Sequence, residues 1–330
     1  MKTVRIWFGC SLGLAISMFT GWGFGFLAIL LPLFVLSLSD SLNIPLLLMI
    51  LGAAIMSTLV SWLVWDLLKV HPTLVLGAVS TLFFGLCIAM THRPLFLIGY
   101  IGLIISSIVL SLASYPFVDI EDLCITVWVY AALNIVICSL AYWLFPEKQP
   151  KSISKQENSP EYDPVQVVMI WGVIMLTFVV FQVADLYDSV AAHASVLVIM
   201  APMSSVGTLK MAKVRVLGTL MGCALGLGLQ LTLGLWLDNA FLYWLGFTIA
   251  MGPFCYWHTQ GQVKMALASS AMASLTVPLT TVLVPGQQDA VFASLYRFSS
   301  IFIAVASAAF LILLLQTLSE NRLQYSHAKS

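Results

Sequence analysis

Charge is what this chain has least of. Of its 330 residues only 8% are Asp, Glu, Lys or Arg, against the roughly one quarter carried by a water-facing domain. That scarcity excludes a soluble globular surface. The even balance of 14 basic and 14 acidic residues gives no electrostatic footprint for nucleic acid. Paired cysteines are lacking too. Cys10, Cys87, Cys124, Cys138, Cys223 and Cys255 fall inside or at the edges of apolar runs without ligand spacing, so neither a disulfide framework nor a metal centre is expected. There is no G-x-x-x-x-G-K-[ST] run, so ATP does not drive this chain, and "GWGFG" at 21–25 is too short for a dinucleotide loop. Nothing supports catalysis or a cofactor, and the protein reads as a non-enzyme.

What is present is apolar. Hydrophobic residues make up 61% of the chain, mean hydropathy is +1.01, and runs of about twenty apolar residues recur along its length. The fold class is therefore all-α, a polytopic protein whose partner is the lipid bilayer. Breaks at polar, glycine and proline clusters give spans at 5–21, 24–38, 44–68, 73–90, 95–113 and 123–144, then 165–186, 190–204, 214–237, 241–257, 263–283 and 290–317. Twelve is the expected count; 24–38 and 190–204 are short, so ten stays open. The first run follows Lys2 and Arg5 but meets no small-residue cleavage site, which makes it a membrane helix rather than a leader. The one long hydrophilic stretch, 146–164, separates a first transmembrane repeat (1–145) from a second (165–330).

Orientation follows from the basic residues. With the N-terminus in the cytoplasm, only Lys69 and Arg297 of the fourteen fall on the outer side, so both termini and the linker are expected inside. The halves also resemble each other. At an offset of 170, Pro32 meets Pro202, Gly52 meets Gly222, Ala54 meets Ala224 and Asp119 meets Asp289. Six spans per half make the repeats parallel, related by an axis along the membrane normal.

The stretch "KVRVLGTLMGCALGLG" (213–228) carries Gly218, Gly222 and Gly226 four apart, a face on which a neighbouring helix can pack closely. Gly52 is the matching small residue of the first half. Lys210 and Lys213 read as flanking charges. Arg215 is expected to begin the helix, with Thr219 one turn on along the same face. A guanidinium fork, a hydroxyl and free N–H groups at a helix start together suit an organic anion.

Arg215-Val-Leu-Gly218-Thr219-Leu-Met-Gly222 resembles the R-x-x-G-T-x-x-G signature of the fusaric acid resistance protein-like superfamily. This superfamily includes bacterial aromatic acid exporters and is distantly similar to plant aluminium-activated malate transporters. The six-span halves, the cytoplasmic linker and the proline-bearing second spans are similar as well. Two departures stand out: Pro45 lies at the offset position of Arg215, and the linker is short. The resemblance implies efflux of aromatic or other organic acids across a bacterial inner membrane, together with a membrane-fusion (periplasmic adaptor) protein. A passive anion channel and a non-transporting envelope assembly component remain alternatives, and homo-oligomerisation stays open.

Other ionisable groups lie in or near the spans. "FQVADLYDSVAAHASV" (181–196) holds Gln182, Asp185, Asp188 and His193. On a helix the two carboxylates would share a face, and Asp185 with His193 forms a candidate proton-coupling pair; the same stretch reads equally as a short periplasmic loop. Arg297, in "SLYRFSSIF", is either a snorkelling interface arginine or a residue of the anion path. Asp119, Glu121 and Asp122 form an acidic patch suited to an adaptor, and Asp66 with Lys69 forms a local pair.

Overall fold

The computed structural model describes residues 1–21, 24–146, 164–186, 189–233, 239–282 and 290–327, so the 146–164 linker and Asp188 lie essentially outside the described residues. Within them the chain is helical, with no strand. The helices are α1 Lys2–Thr20, α2 Leu27–Leu38, α3 Ile44–Leu68, α4 Pro72–Thr91, α5 Phe96–Ala113, α6 Ile120–Leu144, α7 Pro164–Val183, α8 Val190–Met200, α9 Ser205–Leu233, α10 Ala240–Trp257, α11 Gln262–Val282 and α12 Ala290–His327.

Helix is what an apolar chain forms once water is no longer available to its backbone, because every N–H and C=O finds a partner within the segment. The ends are set by local chemistry. Gly21 stops α1 in the left-handed conformation at φ 60°, and Pro72 opens α4. The Asn239 side chain accepts from the Phe241 and Leu242 N–H groups to cap α10. Asp119 accepts from the Glu121 N–H at 2.8 Å at the start of α6.

Eight of these helices are long and apolar enough to cross a membrane: α1, α3, α4, α5, α6, α7, α9 and the Leu295–Leu318 part of α12. Twelve helices are present, but α2 and α8, with 12 and 11 residues, extend only about 16–18 Å at 1.5 Å per residue. That is short of a hydrocarbon core of about 30 Å. The match of Pro32 with Pro202 does not hold as a structural equivalence. Pro32 lies inside α2, whereas Pro202 follows the end of α8.

The chain forms two compact units. Unit one holds Met1–Ile55, Asp122–Gln156 and Val214–Ser299; unit two holds Met56–Glu121, Glu157–Lys213 and Ser300–Ser330. Each takes helices from both halves of the sequence, and α3, α9 and α12 give one end to each. In unit one α1 packs on α2 and α10, α10 on α11, and α11 on α2. In unit two α7 packs on α8 and α4, α4 on α5, and α5 on α8 and α7. The first four pairings of unit two are those of unit one moved six helices along.

The same hydrogen bond recurs with them. Trp7 of α1 donates its indole N–H to the Thr248 carbonyl of α10 at 2.5 Å. Trp171 of α7 donates to the Ser80 carbonyl of α4 at 3.1 Å. Around these seams lie two apolar cores, Ile6, Leu14, Leu36, Phe247 and Met251 in one unit and Phe83, Met90, Leu103, Ile174 and Ile199 in the other. Large apolar side chains elsewhere, such as Met56, Ile249, Ile303 and Phe310, are exposed and form the surface offered to lipid.

Within unit one the glycine face of α9 meets α11. A Cβ at Gly218 would stand 2.5 Å from the Ser270 Cβ and 2.6 Å from the Leu267 carbonyl oxygen; one at Gly222 would overlap the Ala271 carbonyl oxygen. Gly226 makes only ordinary contact with Leu275, and a Cβ at Gly52 would meet nothing within 4 Å. The close approach therefore depends on two glycines, and Gly52 does not take part in one. Gly222→Val should lower thermal stability in detergent, costing about 1–3 kcal/mol or more because the obstruction is backbone, while Gly52→Val should leave the melting temperature unchanged.

Candidate functional site

Arg215 does not begin its helix. α9 starts at Ser205, ten residues earlier, so Arg215 stands about 15 Å along the axis. The free N–H groups and positive dipole end that the sequence reading assigned to it are spent a helical stretch away. What the structure offers instead is burial. Arg215 is 8% exposed and Thr219 is 0% exposed, and the Thr219 Oγ1 has no hydrogen-bond partner among the described residues.

Arg297, on α12, stands seven residues after Ala290, about 10 Å into that helix, and is part-buried. Its charge and that of Arg215 act on each other, and both act on the Cys223 thiol. Two residues placed on opposite membrane faces by the count of basic residues therefore lie within electrostatic range of each other in unit one. Like charges held in low dielectric repel strongly. An anion between them relieves that repulsion, and guanidinium groups are suited to a carboxylate. Thr219 adds a hydroxyl on the Arg215 side.

A second polar cluster lies in unit two. His193, on α8, is 1% exposed. Its Nε2 is 3.0 Å from the Ser107 Oγ and its Nδ1 is 3.2 Å from the Ser111 Oγ. Ser107 and Ser111 are one turn apart on α5. The Phe181 ring lies 5.1 Å and the Phe178 ring 6.1 Å from the imidazole. Gln182 of α7 donates to the Ser111 carbonyl at 3.2 Å.

Asp185 stands apart from this cluster. It is exposed in the turn after α7, in the left-handed region at φ 54°, so it does not continue the helical face of Gln182. Among the described residues no hydrogen bond or ion pair joins it to His193. Asp185 thus belongs to the turn between α7 and α8, whereas His193 lies on α8.

Sequence reasoning missed Arg5 and the two serines. Arg5 is fully buried, where a flanking charge would be solvated. It donates to the Asp40 and Ser39 carbonyls at 3.1 and 3.4 Å, with its guanidinium carbon 4.5 Å from the centre of the Tyr142 ring. The Tyr142 hydroxyl donates to the Ser39 carbonyl at 2.8 Å, and Lys2 pairs with Asp40 at 2.6 Å. This network closes α1, the end of α2 and α6 beside a cavity of about 290 Å³ lined by Asp40, Ser139, Tyr142 and Trp143. No local spacing announces it, because its partners lie 34, 35 and more than a hundred residues away. Ser107 and Ser111 did carry a signal, as hydroxyls one turn apart in an otherwise apolar run. All six cysteines are buried and free, and no metal-holding cluster occurs among the described residues.

His258, which follows the end of α10, shares its Nε2 with the Ser269 hydroxyl at 3.2 Å. Burial, and then the Lys2 charge, push it down to about 4 from its ordinary 6.5. The unfolded chain therefore binds this proton at a higher pH than the folded one, and stability falls as pH drops from about 6.5 towards 4. In detergent the melting temperature should fall between pH 7 and pH 5, and His258→Gln should make that fall shallower.

A family model described as "Protein of unknown function (DUF2955)" matches residues 2–141, which is less than half of the chain and stops short of the Arg215–Gly222 segment. No curated protein matches the chain, and no solved structure does.

Proposed function

We propose that this protein exports small organic acids, aromatic ones among them, across a bacterial inner membrane, driven by the proton gradient and working with a periplasmic adaptor. The single observation that carries the reading is that the charges of buried Arg215 and part-buried Arg297 act on each other, with the unpartnered hydroxyl of buried Thr219 one turn from Arg215. Two like charges so placed in an apolar protein repel each other, and an anion between them lowers that cost. The likeness of the Arg215–Gly222 segment to the exporter signature points the same way. A carboxylate is the anion that guanidinium forks and a hydroxyl recognise together.

The organisation as two parallel six-helix repeats belongs to the same proposal. Its support is the recurrence of the α1–α10 and α2–α11 pairings as α7–α4 and α8–α5, with an indole-to-carbonyl bond at each of the first kind. The repeats would exchange helices, so that each unit is built from both. The anion site then has one copy, since α3 carries no arginine where α9 has Arg215.

The test is efflux from proteoliposomes loaded with benzoate, other aromatic carboxylates or succinate, with and without an imposed pH gradient. Gradient-dependent efflux should fall at least tenfold in Arg215→Ala and in Arg297→Ala while insertion and monodispersity are kept. Full efflux by both variants, or loss of insertion alone, would remove the site.

A further inference from the structure

We propose that Ser107, His193 and Ser111 form the protein's proton-carrying site: His193 takes a proton at one ring nitrogen and gives one up at the other, with both serine hydroxyls re-orienting to follow. The argument is one of hydrogen-bond bookkeeping. A neutral imidazole has one donor and one acceptor nitrogen, and a protonated one has two donors. A hydroxyl can serve as either partner. With a serine at Nε2 (3.0 Å) and another at Nδ1 (3.2 Å), the ring keeps two hydrogen bonds in either neutral tautomer and in the charged form. A carbonyl at either position would exclude one neutral tautomer, and an amide N–H there would exclude the other tautomer and the charged form.

The step balances. A hydronium ion gives a proton to one serine hydroxyl as that hydroxyl gives its own to the lone-pair nitrogen, so that an N–H bond forms, the hydroxyl is restored and water is left. The ring then holds one positive charge until the other serine hydroxyl takes the proton from the second nitrogen and passes its own to a water, and that N–H bond breaks. No oxidant or second reactant is needed.

Packing alone does not ask for this residue. The α2–α11 pairing in unit one corresponds to α8–α5, and α2, with the sequence LAILLPLFVLSL, is built without an ionisable side chain. The groups that meet the ring are Ser107 and Ser111 from α5 and Phe178 and Phe181 from α7, none of them charged. Gln182, bonded to the Ser111 carbonyl, is neutral as well. On α8 the nearest hydroxyl, Ser195, donates to the Ala191 carbonyl, and the exposed Asp185 lies in the preceding turn. No fixed counter-ion among these partners would trap the charged form, as a shuttle requires. The phenyl rings of Phe178 and Phe181 make the surroundings of the imidazole apolar, and the two hydroxyls are the polar groups at its nitrogens.

The proposal rests on the export reading for its use, but its test does not. The full-length protein, labelled with ¹⁵N in its histidine rings and reconstituted in lipid, is titrated by NMR, with His193→Gln assigning the signal. The His193 nitrogens should pass from neutral to protonated shifts within pH 8–4, and Ser107→Ala should shift the tautomer ratio at least threefold. Ring shifts that stay constant over this range in folded protein would overturn the site.

In proteoliposomes, His193→Gln, which keeps a donor and an acceptor, should cut pH-gradient-driven benzoate movement at least tenfold. It should leave benzoate–benzoate exchange within twofold. Unchanged gradient-driven transport, or equal loss of exchange, would overturn the coupling role. If the native protein moves no carboxylate, the export reading fails and the titration alone decides the proton site.

Discussion

Gly218 and Gly222 let α9 lie against the backbone of α11, with Leu267, Ser270, Ala271 and Ser274 filling the space that side chains would otherwise take. In lipid this contact is the chief means by which two apolar helices can prefer each other over the solvent, because lipid tails are as apolar as leucine. It also fixes where Arg215 and Thr219 stand, since Thr219 follows Gly218 directly and Arg215 precedes it by three residues. A helix held so closely can afford a buried cation one turn away. The proposed anion site thus shares its helix with the packing face, and the contact of Gly218 and Gly222 with α11 sets the height at which Arg215 and Thr219 stand.

Elsewhere the same scarcity of water makes each hydrogen bond between helices informative. The Trp7 and Trp171 indoles each reach one carbonyl on a facing helix, and Ser106 donates to the Ser57 carbonyl between α5 and α3 at 3.4 Å. Serines and threonines such as Ser61, Thr177 and Ser274 return their hydroxyl protons to the carbonyl four residues back, which satisfies them without a neighbour. Against that background the Thr219 hydroxyl, like those of Thr208 and Thr248, has no partner among the described residues, and His193 stands out as bonded at both ring nitrogens.

Helix positions were legible in the sequence almost throughout, because a run of apolar residues between polar breaks leaves little choice of structure. The spans read at 44–68 and 95–113 differ from α3 and α5 by at most one residue. The depth of particular residues was not legible. Arg215 looked like the start of a helix because Lys210 and Lys213 precede it, yet α9 runs on through both to Ser205. The count of charges places Arg297 by its position along the chain and does not give its depth along α12, about 10 Å from the helix start. Asp185 looked helical because Gln182 precedes it by three; a left-handed residue ends that geometry, and composition does not disclose it. Inward and outward faces were likewise hidden, since lipid-facing and core-facing positions here are both apolar, so the partners of His193 and Arg5 emerged only from the fold.

Arg215 and Arg297 are proposed to hold one anion between them. Equilibrium binding of benzoate to the purified protein in detergent, measured for the native chain, Arg215→Ala, Arg297→Ala and the double variant, tests this directly. A shared site predicts that each single change weakens binding at least tenfold and that the double change adds little more. Independent, additive losses, or binding untouched by either change, would contradict it.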